Sequence, residues 1–271
     1  MPQAAVVGQP ISHSLSPVLH RAAYAALSLD DWSYTAVECD ETGFPDLLRG
    51  DWAGLSVTMP CKRAALAGAD RASSLARDVG AANTVVRRGD CWYADNTDVG
   101  GIIGALAEAG VTSGVGAVIL GAGGTAQAAL AALRELGEPA PVVLVRNPAR
   151  ADDLRDTADR LQVQPDIRAG LDDPVLYEAP LVIATLPRGA ADSLARAERW
   201  SPHGVLFDVL YDPWPTAFAR SATEAGRTVV SGLDLLLHQA LRQVELMTGQ
   251  AAPLESMRLA LSDREGSRTD R

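Results

Sequence analysis

The chain has 271 residues, 47% apolar and 21% charged, enough for a sizeable core in one large or two modest domains. Its net charge of −10 argues against nucleic acid, whose phosphates call for Lys and Arg, and against an anionic membrane surface. Cys39, Cys61 and Cys91 form no CxxC pair, no run of about twenty apolar residues marks a span, and MPQAAVVGQP has no signal-peptide pattern, so a cytoplasmic chain with reduced thiols is expected.

Short apolar runs alternate with helical stretches, the pattern of an α/β fold. A first strand is expected over 4–7. Ser16 then reads as an N-cap and Pro17 as the first helical residue, with the helix continuing through Val18, Leu19, Ala22 and Ala26. Strands follow over 32–37 and 54–57, then a pair over 81–86 and 91–94 turned at Arg88-Gly89-Asp90, then a helix over 99–110. The texture changes at 115–120, a run expected as a strand buried on both faces. GAGGTAQAA at 121–129 leads into a helix, and further strands are expected over 141–145, 181–185, 204–209 and 228–230, a series of the doubly wound type. Amphipathic helices are expected over 233–247 and 254–261, with SDREGSRTDR as a fraying tail.

GAGGTA at 121–126 fits GxGxxA. Gly121 suits the tight turn, Gly123 lets backbone approach a pyrophosphate, and Ala126 lets the helix pack on its strand. A lone match could be an ordinary glycine-rich turn. This one follows a strand and opens a helix, where free N–H groups hold phosphates. VRNPAR at 145–150 stands at the end of the second strand, where an NAD site carries an acid; here Arg146 and Arg150 stand there and no acid does, which favours NADP.

Three polar clusters stand outside this section. GQPISHSLSPVLH at 8–20 offers Ser14 and Ser16, which could grip a carboxylate or simply cap a helix. GLSVTMPCK at 54–62 places Thr58 and Lys62 just after a strand, and GAANT at 80–84 with DNTD at 95–98 offers Asn83, Thr97 and Asp98. Reducing a ketone by hydride leaves an alkoxide that needs a proton donor; a Lys beside an Asp supplies one, and Ser, Thr and Asn groups can hold a polyhydroxylated acid. His13, His20, His203 and His238 lack metal-ligand spacing, so no metal is expected.

The chain resembles the shikimate dehydrogenase family from near residue 4 to near 261. The motifs are GxPIxHSxSPxxH at 8–20, VTxPxK at 57–62, GAxNT at 80–84, NTD at 96–98, GAGGxxxA at 121–128, YxPxxT at 211–216 and the Gln of GLDLLLHQA at 232–240. The resemblance implies two α/β domains around a cleft: an N-terminal substrate domain, 1–100 completed by the returning helices of 232–271, and a doubly wound Rossmann-type NADP domain over 101–231. It implies Lys62 and Asp98 as the catalytic pair, and Ser14, Ser16, Thr58, Asn83, Asp98, Tyr211 and Gln239 as contacts to shikimate. It implies Gly121, Ala122, Gly123, Gly124, Thr125, Arg146, Asn147 and Arg150 as the NADP site, with Thr185, Val209 and Gly232 near the nicotinamide. The activity implied is reversible reduction of 3-dehydroshikimate by NADPH, on the way to chorismate and aromatic amino acids, in a monomer or homodimer.

This chain departs from the family at Ser56, where Asn is usual, at Val145-Arg146-Asn147 in place of Asn-Arg-Thr, and at Ile183-Ala184-Thr185-Leu186 in place of Asn-Ala-Thr-Ser. Three rivals are weighed. An NAD-dependent quinate/shikimate dehydrogenase wants an acid that is missing here. A methyltransferase leaves Lys62, Asp98 and the serines without a task. A non-catalytic sensor of NADP or shikimate needs no proton donor.

Overall fold

The computed structural model describes residues 1–269, with side chains described through Asp263. Contacts divide the chain into two units, Met1–Asp98 with Leu236–Arg271, and Val99–Leu235. The motifs put the seams after residues 100 and 231; in the structure each falls inside a helix, α5 (Thr97–Glu108) or α10 (Gly232–Thr248).

In the first unit the order is β1 (Gln3–Gly8), α1 (Ser16–Ala26), β2 (Ser33–Glu38), α2 (Phe44–Leu47), β3 (Gly54–Val57), α3 (Lys62–Gly68), β4 (Arg71–Ala72), α4 (Ser74–Val79), β5 (Thr84–Arg88) and β6 (Cys91–Asp95). The sheet order is β2-β1-β3-β5-β6-β4. β1 pairs in parallel with β2 and β3, β4 pairs in parallel with β6, and β5 runs antiparallel to both β3 and β6. Alternate residues of β1 feed opposite faces, as a period of two requires. Ala5 and Val7 join Phe44, Leu55, Ala65 and Trp92 on one side; Ala4 and Val6 join Tyr24, Tyr34 and Met247 on the other. The short α2, α3, α4 and β4 were not expected, because elements of so few residues complete no legible hydrophobic period.

The structure departs from the sequence pattern at two element starts. Ser16 is already helical and is not the cap. Leu15 occupies the cap position, and Ser14 Oγ accepts the Ser16 N–H at 3.3 Å. The strand expected from residue 81 begins at Thr84. Gly80, at φ +81°, ends α4 in the left-handed region, so 81–83 enter β5 as a loop.

The second unit runs from α5 through β7 (Ala117–Leu120), α6 (Gly124–Glu135), β8 (Val142–Val145), α7 (Asp152–Leu161), β9 (Asp166–Ala169), α8 (Pro174–Glu178), β10 (Leu181–Ala184), β11 (Val205–Asp208), α9 (Ala217–Glu224) and β12 (Thr228–Val230) into the start of α10. All its strands are parallel, in the order β12-β11-β10-β7-β8-β9. The order reverses between β7 and β10, so this is a doubly wound sheet with its switch point there. β7, β10 and β11 are buried throughout and read as continuous apolar runs. β9, DIRA, is an edge strand with exposed ends, and its polar pattern hid it from the sequence reading.

After α10 the first unit ends in α11 (Leu254–Thr269). This helix runs past the expected end at 261 through most of the supposed frayed tail; residues 270 and 271 lie outside the described residues. No helix among the described residues is long and apolar enough to cross a membrane.

A buried cation anchors the second unit. Arg227, 4% exposed, donates to the carbonyls of Tyr177, Ser201, Ala179 and Pro180, and its guanidinium lies 4.9 Å from the Trp200 ring centroid. Arg227→Met keeps much of the volume and removes the side-chain donor from all four carbonyls, of which Tyr177 O and Pro180 O keep backbone partners in the Ser201 and Val205 N–H groups. It is expected to cost ~3 kcal/mol in urea unfolding; a loss below ~0.5 kcal/mol, the range of a surface change, would refute the anchoring role.

Candidate active site

Lys62 opens α3 after the short loop 58–61 that follows β3, and Asp98 stands in the first turn of α5. Lys62 Nζ donates to Asp98 Oδ2 at 2.5 Å, with side-chain exposures of 16% and 10%. Asn83 holds the other carboxylate oxygen: its Nδ2 lies 2.8 Å from Asp98 Oδ1. The same nitrogen reaches Thr97 Oγ1 at 2.9 Å and Gln239 Oε1 at 3.3 Å. Asn83 Oδ1 accepts the Thr97 N–H at 2.7 Å and the Thr84 hydroxyl at 2.9 Å. Asn96 adds a brace, accepting the Asp98 N–H at 3.1 Å and donating to Ala81 O at 2.9 Å. Lys62, Asp98, Asn83 and Gln239 therefore form one hydrogen-bonded group. Gln239 Nε2 is itself engaged by Leu236 O at 2.9 Å.

Ser14, Ser16 and Thr58 share no hydrogen bond with this group among the described residues. Ser14 is half-buried, ahead of α1, and Ser16 is 4% exposed beside the Tyr34 hydroxyl. Thr58 is half-buried at the end of β3, its N–H bound to Val7 O at 2.8 Å. Ser56 stands where the family usually has Asn. It is buried, accepts the Tyr34 hydroxyl at 2.6 Å and donates to Gln243 Oε1 at 2.7 Å. His20 stacks on Tyr34 with ring centroids 3.9 Å apart and pairs through Nε2 with Gln243 Oε1 at 3.3 Å. Gln243 was missed in the sequence. Its signal was its place four residues after Gln239, a second amide on the same side of a largely apolar helix.

In the second unit, Gly121 and Thr185 meet at the switch point. Thr185 donates its hydroxyl to Leu120 O at 2.7 Å. Gly121 has φ +106°, and a Cβ there would lie 2.7 Å from Thr185 Oγ1. Gly123 caps α6 without a side chain, and a Cβ on Gly123 or Gly124 would meet no protein atom within 4 Å. Packing of the chain thus does not call for glycine at either position, whereas close approach of a phosphate to the helix N-terminus does. Ala122 and Thr125 are half-buried in the same turn.

Arg146 and Arg150 are exposed beyond β8 and carry no ion pair among the described residues; Asn147 Oδ1 accepts the Ala149 N–H at 3.0 Å, which leaves its amide nitrogen to donate. Val209 follows β11, with its N–H on Ala184 O at 3.1 Å. Gly232 is packed so closely on it that a Cβ would lie 2.1 Å from Val209 O. Tyr211, half-buried, belongs to this unit, in the turn that leads to the Thr216 cap of α9. Thr216 also donates to buried Asp208 at 2.7 Å, and burial raises that carboxyl above its ordinary value.

A doubly wound parallel sheet with a glycine-rich turn at its switch point places the second unit in the class of dinucleotide-binding folds. Residues 6–85 match the shikimate dehydrogenase substrate binding domain, and 232–261 match the shikimate 5'-dehydrogenase C-terminal domain. The shikimate dehydrogenase (NADP(+)) of Caulobacter vibrioides is 43% identical over 257 residues, covering 91% of this chain and 89% of the relative. The crystal structure of Mycobacterium tuberculosis shikimate dehydrogenase superposes with a TM-score of 0.88 at 43% identity, covering 97% of this chain and 100% of that one. Shikimate 5-dehydrogenase from Thermus thermophilus, solved in complex with NADP(H) and shikimate, superposes with a TM-score of 0.84 at 32% identity, over 96% and 98% of the two chains. The chain belongs to the shikimate dehydrogenase family.

Burial pushes the His20 imidazole from its ordinary 6.5 down to about 3, outweighing the opposing hydrogen bond from Gln243. The folded chain keeps His20 neutral while the unfolded chain protonates it below pH ~6.5. This contribution to stability is therefore present above pH ~6.5 and is lost as pH falls toward ~3. Relative to a non-titrating His20→Asn variant, the urea midpoint of the wild type should fall between about pH 7.5 and about pH 5. A gap between the two proteins that does not change with pH would show that His20 titrates alike in the folded and unfolded chain and is not held neutral by burial.

Proposed function

We propose that this chain reversibly reduces 3-dehydroshikimate to shikimate with NADPH, the first unit holding the substrate and the second the cofactor. The observation that carries the reading is the Lys62–Asp98 pair, 2.5 Å apart and largely shielded. The donors present fit the cofactor: the N-terminus of α6 behind Gly121–Thr125 suits the pyrophosphate, and Arg146 and Arg150, with Asn147 Nδ2, suit a 2′-phosphate. When bound, NADPH supplies the hydride. Lys62 holds its proton at the substrate carbonyl oxygen and stabilises the charge that develops there as the C–O bond becomes an alkoxide. The proton then passes from Nζ to that oxygen; in the reverse direction Lys62 takes it back. Asp98 holds the ammonium in line, and Asn83 holds Asp98. Ser14, Ser16, Thr58, Tyr211 and Gln239 supply the hydroxyl and amide groups suited to a hydroxylated carboxylate. The names of the relatives support this substrate and cofactor, in a step toward chorismate and the aromatic amino acids.

The test is nicotinamide absorbance with shikimate or quinate and NADP or NAD, in all four combinations. Rapid reduction with shikimate and NADP is expected; turnover confined to quinate and NAD would overturn the reading. Lys62→Ala is expected to lower kcat by at least ~100-fold with shikimate binding by calorimetry changed far less. Binding lost with kcat retained would remove Lys62 from the proton transfer. Arg146→Ala with Arg150→Ala is expected to raise KM for NADP by ~10-fold or more and leave KM for NAD nearly unchanged. Equal effects on both cofactors would remove the 2′-phosphate assignment.

A further inference from the structure

We infer that Gln243 and Thr84 are positioning residues of the reaction, a link from α10, beside the direct contact of Gln239, that sets where Asn83 stands against Asp98. The inference rests on the proposed reaction for its kinetic readout only.

The bonds can run in one direction only. Gln243, 1% exposed, points one end of its amide at Asn83 O (3.2 Å) and Thr84 Oγ1 (3.0 Å). A backbone carbonyl only accepts, so that end is Nε2. The other end, Oε1, therefore accepts, from Ser56 Oγ at 2.7 Å and from His20 Nε2 at 3.3 Å. This places the His20 proton on Nε2, and His20 Nδ1, then a bare acceptor, is without a partner among the described residues. Thr84 Oγ1 receives the Gln243 amide proton, so its own proton goes to Asn83 Oδ1, 2.9 Å away. The Thr97 N–H, a donor only, meets the same oxygen at 2.7 Å. Asn83 must then present Nδ2 to Asp98 Oδ1, which leaves Oδ2 to Lys62.

Gln243, Ser56, Thr84, Asn83 and Thr97 are all buried, so a bond lost among them is not replaced by one to bulk water. Thr97 alone fixes which way the Asn83 amide is turned. Gln243 and Thr84 fix where the 81–83 loop sits, since Asn83 is held by its carbonyl and by its side chain at once. Removing either link is expected to let Asn83 drift by a fraction of an ångström and with it the carboxylate that aims Lys62.

The test compares Thr84→Val, Thr84→Ser and Gln243→Leu in the full chain. Thr84→Val and Gln243→Leu are expected to lower kcat for shikimate oxidation by ~10-fold, with KM for shikimate and NADP within ~2-fold of wild type. Thr84→Ser, which keeps the hydroxyl, is expected to restore kcat to within ~2-fold. Equal losses in the Ser and Val variants, or a loss confined to KM, would overturn the inference. Crystal structures give the second readout, which needs no turnover. The Asn83 Nδ2 to Asp98 Oδ1 contact should be broken in Thr84→Val and Gln243→Leu and kept in Thr84→Ser. An unmoved contact in the first two overturns the inference. If the wild type does not oxidise shikimate, the proposed reaction fails and these distances alone decide the positioning role.

Discussion

Taking a lysine and a carboxylate out of water separately is far more costly than taking them together, and even together they need further hydrogen bonds to offset desolvation. The Lys62–Asp98 pair meets that condition. One carboxylate oxygen is matched to the ammonium and the other to the Asn83 amide, so neither is left unpaired. Much of the first unit can be read as the means of meeting this demand. The left-handed Gly80 ends α4 early enough for 81–83 to leave the strand path, and the Thr97 N–H at the start of α5 fixes the amide. The polar groups behind Asn83 are in turn saturated by Gln243, Ser56 and Tyr34.

The second unit solves a different problem. A parallel sheet buried on both faces leaves polar chemistry only at its strand ends, and the switch point is where two adjacent ends diverge. Gly121 and Thr185 are the first residues after the two strands that flank it, β7 and β10. The close approach of Gly121 to the Thr185 hydroxyl, and of Gly232 to Val209 O, brings backbone together where a side chain would hold it apart. The glycines at 123 and 124 differ in kind. Nothing in the protein crowds them, which leaves the helix N-terminus open to the approach of the pyrophosphate in the proposed function.

The fold was legible where elements are long and apolar. β7, β10 and β11 read as buried runs, and the long helices carry a clear period. What failed to read was short or polar: β4, with two residues, and the edge strand β9. The pairing of Lys62 with Asp98 followed from chemistry plus family motif. The inward turn of Ser56 could not be read, because a serine beside a strand end looks the same whether its hydroxyl faces solvent or a buried glutamine 187 positions away. Ser16 misled for a related reason. Ser-Pro is a strong helix-start signal, but Ser14, ahead of the helix, takes the role of acceptor.

That separation in sequence has a consequence for how the site forms. Asn83 and Thr84 acquire Gln239 and Gln243 from a helix that arrives only after the whole second unit has been strung. Residues 1–98 alone would leave the Ser56 hydroxyl, the Thr84 hydroxyl and the Asn83 carbonyl without their Gln243 partner, each keeping one bond, from Tyr34, to Asn83 Oδ1 and from the Val57 N–H respectively. They would also leave the Tyr24 and Tyr34 side of the sheet without Met247 of α10. The loss falls on the same groups that position the ion pair. Completion of the first unit's core and placement of the Lys62–Asp98 pair thus draw on the same contacts from α10, and both require the long loop between residues 98 and 236 to be closed.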